Sequence, residues 1–158
     1  MHLALNNRIQ VWVIRHPKER IAKCSLRHLH ERQGFAFLKT APKASFDLTG
    51  CLLLALDAPP LTARDAADLP LVILDSTWRL LSQLTNHLTG TPIRRSLPAR
   101  IHTAYPRISK LTKDPPAGLA SIEALYAARY ILGDNDPSLL EGYYWQDAFL
   151  KQFTPTRL

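Results

Sequence analysis

The sequence predicts an α/β domain. Three observations carry this: short continuous apolar runs of strand length, amphipathic stretches of helical period between and after them, and enough apolar content for one compact core. The runs are residues 11–14 (VWVI), 35–38 (FAFL), 51–56 (CLLLAL) and 71–74 (LVIL). Each is continuous rather than alternating, as in strands covered on both faces, and their interleaving with helical stretches is the α/β signature. The chain has 158 residues, 46% hydrophobic and 21% charged, an ordinary content for one domain. Twelve prolines against six glycines set many turns, and there is no internal repeat or low-complexity tract.

In chain order, Ser25 is placed to cap a helix running to about Gln33, with Leu26 and Leu29 facing inward. Thr62, with Asp65 three residues on, resembles a capping box. After the LVIL run, Asp75 is placed to cap a helix in which Thr77, Leu81, Leu84 and Leu88 recur at helical spacing until Gly90. A fifth strand is predicted around Ala99 to Thr103. Pro98, Pro106, Pro115 and Pro116 keep the stretch up to Gly118 from being mostly helix, and long ordered loops of this kind often carry function. Residues 121–132 (SIEALYAARYIL) place Ala124, Ala127, Ala128 and Ile131 on one stripe, with Gly133 as the stop. A last helix, from about Pro137 to Phe153, carries Trp145, Phe149 and Phe153 four residues apart as a docking stripe.

The net charge of +7 is concentrated. Residues 1–43 hold Arg8, Arg15, Lys18, Arg20, Lys23, Arg27, Arg32, Lys39 and Lys43 against Glu19 and Glu31, and the remainder is neutral. A second basic run, Arg94, Arg95, Arg100, Arg107, Lys110 and Lys113, has no acid between its ends. Two basic faces point to a polyanion such as RNA; a solvated surface that only keeps the chain in solution is the alternative. No apolar run has bilayer-spanning length and the N-terminus lacks signal-peptide features, so a cytoplasmic address is expected. Cys24 and Cys51 stand in unrelated contexts, which leaves no disulfide framework.

Among candidate site residues, LDSTW at 74–78 says most. A carboxylate at the end of a buried strand lies where open α/β sheets place their ligands, so Asp75 is suited to hold an ammonium group or accept a proton, an ordinary N-cap being the alternative. Trp78, one turn on, is suited to wall a pocket around a sulfonium cation, or else simply packs in the core. His2, His16, His28, His30 and Cys24 invite a metal reading, but His28 and His30 diverge at their spacing, and no metal is expected. There is no GxGxxG, no P-loop and no GxSxG.

These residues resemble a known group. LDSTW is similar to the Asp-x-x-Trp signature shared by the DTW-domain tRNA aminocarboxypropyltransferases and the small-subunit ribosomal RNA aminocarboxypropyltransferases of the TDD superfamily, with Asp75, Thr77 and Trp78 matching the DTW string literally. HPK at 16–18 and KCSLRHL at 23–29 resemble the ribosomal family's Asp-Pro-Lys and Cys-Thr/Ser-Gly-x-x-Leu elements, with three extra residues between them. PPLTARDAADLPLVILDSTW at 59–78, LPARIHTAYP at 97–106, GLASIEALYAARYILG at 118–133 and LLEGYYWQDAFLKQF at 139–153 follow in family order, so the similarity spans nearly the whole chain. His16, Leu26 and Tyr105 depart from the family's Asp, Gly and Asn.

The resemblance implies a SPOUT-like fold with a C-terminal trefoil knot, divided into a small basic α/β portion over 1–45 and an S-adenosylmethionine (SAM) binding part over 46–158, or forming one compact unit. It implies an RNA-modifying transferase of ribosome biogenesis that moves the 3-amino-3-carboxypropyl group of SAM to a uridine-type base, rRNA being favoured. SAM is the co-substrate, and a monomer is expected. Loops 54–62 and 102–107 and the start of the helix at 119–121 would enclose adenosine, using Leu56, Leu61, Thr103, Ala104, Tyr105, Leu119, Ala120 and Ser121. Thr77 joins this SAM-binding set. Trp78 would line the amino-acid arm, Ser25 would bond its carboxylate, and Asp75 would orient its amino group or take the base proton, which makes Asp75 and Trp78 the catalytic pair. Arg15, Lys18, Arg20, Lys23, Arg27, Arg94, Arg95, Arg100, Arg107 and Lys110 would hold RNA phosphates. The alternatives are a tRNA target, a SPOUT-type RNA methyltransferase, and a non-catalytic RNA-binding module of ribosome assembly.

Overall fold

All four continuous apolar runs become strands of one parallel sheet. In a computed structural model that describes residues 2–5, 9–18, 25–65, 68–105 and 119–153, and only the backbone of Trp78 and Arg79, the strands are β1 (His2–Ala4), β2 (Val11–Arg15), β3 (Phe35–Lys39), β4 (Ser45–Asp47), β5 (Leu52–Leu54), β6 (Leu71–Asp75), β7 (Leu88–Thr89) and β8 (Ile93–Arg95). The helices are α1 (Trp78–Thr85), α2 (Ser121–Ile131) and α3 (Gln146–Leu150). The main sheet has the order β3-β2-β6-β5-β8, and β1-β4-β7 form a second, smaller sheet. Every pairing among the described residues is parallel.

Side-chain alternation divides the core into two layers. Val11, Val13, Leu71 and Ile73 pack on one face of the main sheet with Ile122, Leu125, Tyr126 and Phe149. Trp12, Ile14 and Val72 pack on the other with Phe46, Leu48 and Leu84. A sheet clad on both faces explains why its strands are apolar throughout instead of alternating. β2 and β3, which fall within 1–45, share this sheet with β6. Among the described residues no helix is long and apolar enough to cross a membrane.

Several local expectations are corrected. The fifth strand of the main sheet is Ile93–Arg95, paired with Leu52–Leu54, rather than Ala99–Thr103. Behind Pro98 the chain turns, with the Ile101 amide donating back to the Pro98 carbonyl at 3.0 Å. Leu26 and Leu29 are buried as expected, but only Arg27–Leu29 form a 3-10 turn. Only the Asp65 half of a capping box forms, the Thr62 amide donating to the Asp65 carboxylate at 2.8 Å, while the Asp65 amide donates to the Thr62 carbonyl at 3.1 Å and closes a turn. Asp75 is the last residue of β6, and Thr77 is the N-cap of α1. That helix stops at Thr85, because Leu88 and Thr89 leave it to pair with β4. The stripe on α2 is deeper at Ile122, Leu125 and Tyr126 than at Ala124 and Ile131, which are half-buried. The last helix is broken into the 3-10 turn Pro137–Leu140, α3 and the 3-10 turn Lys151–Phe153, with Gly142 at φ +82° in the break.

Candidate functional site

β2 and β6 run side by side and in register, so Arg15 and Asp75 end their strands as neighbours. By strand parity both fall on the face that carries Val11, Val13, Leu71 and Ile73, where α2 packs. Arg15 Nε donates to Asp75 Oδ2 at 3.1 Å, and Ser121 Oγ, from the first turn of α2, donates to Asp75 Oδ1 at 3.0 Å. Arg15 is 4% exposed and Asp75 8%. Arg15 therefore serves as the buried counter-charge of Asp75, which corrects its assignment to the RNA-facing surface: a guanidinium held on a carboxylate inside the fold is not available to a phosphate. Its remaining edge faces His30, whose Nε2 lies 3.4 Å from Nη1 and whose ring stacks on Phe37 at 3.8 Å. Burial, and then the Arg15 charge, hold the His30 imidazole below its ordinary value against the pull of Asp75. A neutral ring with Nε2 free of a proton is what can accept from the guanidinium. His16, next in sequence, lies on the other face, with Nε2 3.0 Å from Gln83 Oε1 and Nδ1 accepting from the Lys18 amide at 3.0 Å.

Ser25 does not cap a helix of its own. Its hydroxyl accepts the Ile122 amide at 3.1 Å and so caps α2 from almost a hundred residues away. The neighbouring loops are tied by Glu123, which is fully buried. Its Oε1 accepts from Thr103 Oγ1 at 2.6 Å and from the Ala120 amide at 2.9 Å, while its Oε2 accepts from the Ala104 amide at 2.8 Å. The Tyr105 amide in turn donates to Thr103 Oγ1 at 3.0 Å. Tyr143 brings a buried hydroxyl next to the Glu123 carboxylate, pushed up by burial and by that charge. The loop after β5 is pinned to the segment after β8: Leu61 N donates to Ser96 O at 2.7 Å, and Ser96 Oγ to Ala58 O at 2.8 Å. Leu61 is buried in the layer against which Leu54, Ala104, Leu119 and Ala120 also pack. Leu56 and Tyr105, in contrast, are largely exposed.

All of this lies at the carboxyl ends of the parallel strands, where open α/β sheets bind ligands. The structure thus joins Ser121 directly to Asp75, brings Ser25 to the same helix start through the Ile122 amide, and gathers Thr103, Ala104 and Ala120 around Glu123. Thr77 is exposed at the start of α1, and Trp78 opens that helix. Of the basic residues, Lys18, Arg27, Arg94 and Arg100 are exposed, and Arg95 pairs with Asp65 at 2.9 Å. Arg20, Lys23, Arg107 and Lys110 lie outside the described residues. Among the described residues, no three His, Cys, Asp or Glu side chains group as metal ligands would. His28 Nε2 instead lies 2.9 Å from the Leu139 carbonyl.

Sequence reasoning missed Glu123, the place of His30 beside Arg15, and the inward turn of Arg15. Glu123 left one readable trace, as an acid three residues after the last non-helical position of an otherwise apolar helix. Arg15 left none, since only the pairing of β2 with β6 decides what faces it.

No protein-family model matches this chain, and no curated protein matches it. Among solved structures, the fold is similar to the SAM-dependent rRNA:acp-transferase Tsr3 from Vulcanisaeta distributa, with a TM-score of 0.68 and 25% identity over 91% of this chain and 78% of that one.

Proposed function

We propose that this protein transfers the 3-amino-3-carboxypropyl group of SAM to a uridine-type base of RNA, rRNA in first place, and releases methylthioadenosine. The observation that carries the reading is the convergence of Asp75, Arg15, Ser121 and Ser25 at one carboxyl edge of a fold similar to a SAM-dependent rRNA:acp-transferase.

The residues present fit the co-substrate. An amino-acid arm carries one ammonium and one carboxylate, and the site offers one carboxylate with its guanidinium and two hydroxyls. The adenosine end is matched by the apolar walls of Leu61, Leu119 and Ala120. When bound, SAM would supply an electrophilic carbon next to sulfur for the base nitrogen, the carbon–sulfur pair leaving on sulfur as the thioether and the base N–H proton passing to water.

As the resemblance implies, Ser25 would bond the arm, Trp78 would line it and Thr77 would border it; Ser121, expected at the adenosine, instead donates to Asp75 and would stand where adenosine and arm meet. Asp75 has both oxygens engaged, one with Arg15 and one with Ser121. That arrangement favours a carboxylate that orients an ammonium over one that takes the base proton. Leu56 and Tyr105 would meet the ligand from the exposed side, with Thr103 and Ala104 behind them. Lys18, Arg27, Arg94, Arg95 and Arg100 would hold phosphates, together with Arg20, Lys23, Arg107 and Lys110. A C-terminal trefoil knot, a single compact unit, a monomeric state and a cytoplasmic location belong to the same reading. The strand order, which inserts β6 between the earlier β2 and β5, supports a non-sequential winding.

The test is nucleoside mass spectrometry of rRNA and tRNA from cells with and without the protein, paired with product analysis in vitro. The aminocarboxypropyl nucleoside in rRNA and methylthioadenosine are expected. S-adenosylhomocysteine in its place would convert the reading to a methyltransferase, and RNA binding without SAM binding to an assembly module. Asp75→Ala would strand Arg15 inside the fold at a cost of about 3–5 kcal/mol. Asp75→Asn, checked for folding by circular dichroism, is therefore the informative variant, and loss of transfer is expected.

A further inference from the structure

Glu123 is a charged side chain with no solvent exposure, and among the described residues no cation pairs with it. A buried carboxylate is tolerated only where donors replace its water, and here three do so. Those donors are not scattered. Thr103 and Ala104 belong to one loop and Ala120 to the lead-in of α2, two stretches that the sequence separates by residues 106–118. Both are regions assigned above to the adenosine end of the ligand.

We infer that Glu123 is a positioning residue for SAM: its carboxylate holds loop 103–105 against the start of α2 in the spacing that the ligand requires. The inference rests on the transferase reading for the identity of the ligand. The carboxylate is two-sided: Oε1 takes Thr103 and Ala120, and Oε2 takes the Ala104 amide. Thr103 passes the constraint on, since its Oγ1 also accepts the Tyr105 amide. With the amides of Ala104 and Ala120 directed at Glu123, the ligand would meet the carbonyls and side chains of these loops rather than those two amides.

Glu123→Gln keeps the size and one acceptor oxygen but replaces the other with an NH2 donor. With the NH2 toward Ala104 that amide loses its acceptor, and with the NH2 toward Thr103 and Ala120 the Ala120 amide loses its own, so in either orientation the clamp gives up at least one backbone bond and loosens.

The experiment compares the full-length wild type, Glu123→Gln, and the surface control Glu141→Gln by calorimetric titration with SAM, at a temperature where circular dichroism shows all three folded. Glu123→Gln is expected to weaken SAM binding about tenfold or more, the scale of one lost hydrogen bond to a charged group, while RNA affinity and the rate at saturating SAM stay near wild type. Glu141→Gln should change nothing. Amide hydrogen exchange adds a readout free of ligand: the Ala104 and Ala120 amides should be protected in the wild type and at least one released in the variant. If Glu123→Gln does not fold, Thr103→Val, which removes one donor only, should show the same loss of SAM affinity to a smaller degree. Unchanged SAM affinity in the folded variant, or equal losses of SAM and RNA binding, would overturn the inference. A wild type that binds no SAM overturns the transferase reading and the ligand role together, while amide protection still decides whether the clamp exists.

Discussion

At the scale of single residues, the site is a set of charges whose water has been replaced one bond at a time. Arg15 and Asp75 offset each other, and His30 stays useful to Arg15 only while its ring is neutral. Because the folded-state value of His30 is lowered, the unfolded chain binds a proton more readily on acidification. The stability tied to this ring is therefore complete above the ordinary histidine value of about 6.5 and declines as pH falls through it. Urea unfolding at pH 7.5 and 5.5 should show the wild type losing more stability across that interval than His30→Gln. Equal losses in the two proteins would remove His30 from the account.

At the scale of elements, most pieces are too short to stand alone. α3 spans five residues, Gln146–Leu150, whereas an isolated helix is marginal below roughly 12–15. It is held by Phe149, fully buried, which meets the Tyr126 ring edge-on at 6.3 Å. α2 depends on a cap that is remote in sequence. Removing the hydroxyl in Ser25→Ala should cost about 1 kcal/mol in urea unfolding, the usual worth of an N-cap, and should lower SAM affinity because the start of α2 lines the proposed site. A stability loss with no change in SAM binding would separate Ser25 from the ligand. In the smaller sheet, Gly90 has φ +83°, and a Cβ there would run into Asp47 Oδ1 and Thr49 Oγ1. Glycine is required where β7 gives way to the approach to β8.

At the scale of the whole molecule, the parallel sheet brings the ends of β2, β5, β6 and β8 to one edge, and with them Lys18, Arg95 and the Asp75 site. If that edge holds RNA, affinity should fall linearly with log salt, and each of Arg94→Gln and Arg100→Gln should flatten the slope by about 0.7 to 0.9. Filter binding or fluorescence titration between low and physiological salt measures this, and a slope unchanged in both variants would place the RNA elsewhere. Arg94 and Arg95 also sit on an edge strand, where charge discourages pairing with another chain.

The sequence alone determined what depends on neighbours in the chain. Continuous apolar runs marked β2, β3, β5 and β6, because strands covered on both faces leave no polar positions. The Asp75 corner was legible because a strand end and a helix start are local events, and the loop before α2 was legible from its prolines and missing periodicity. Only the tertiary structure decided what depends on remote partners. The small sheet was hidden because its strands are two or three residues long and gain their bonds from segments some forty residues away. The inward turn of Arg15, the cap that Ser25 lends to α2 and the three-way hold of Glu123 were hidden for the same reason: a side chain's role is set by what faces it, and strand pairing, not sequence spacing, determines what that is.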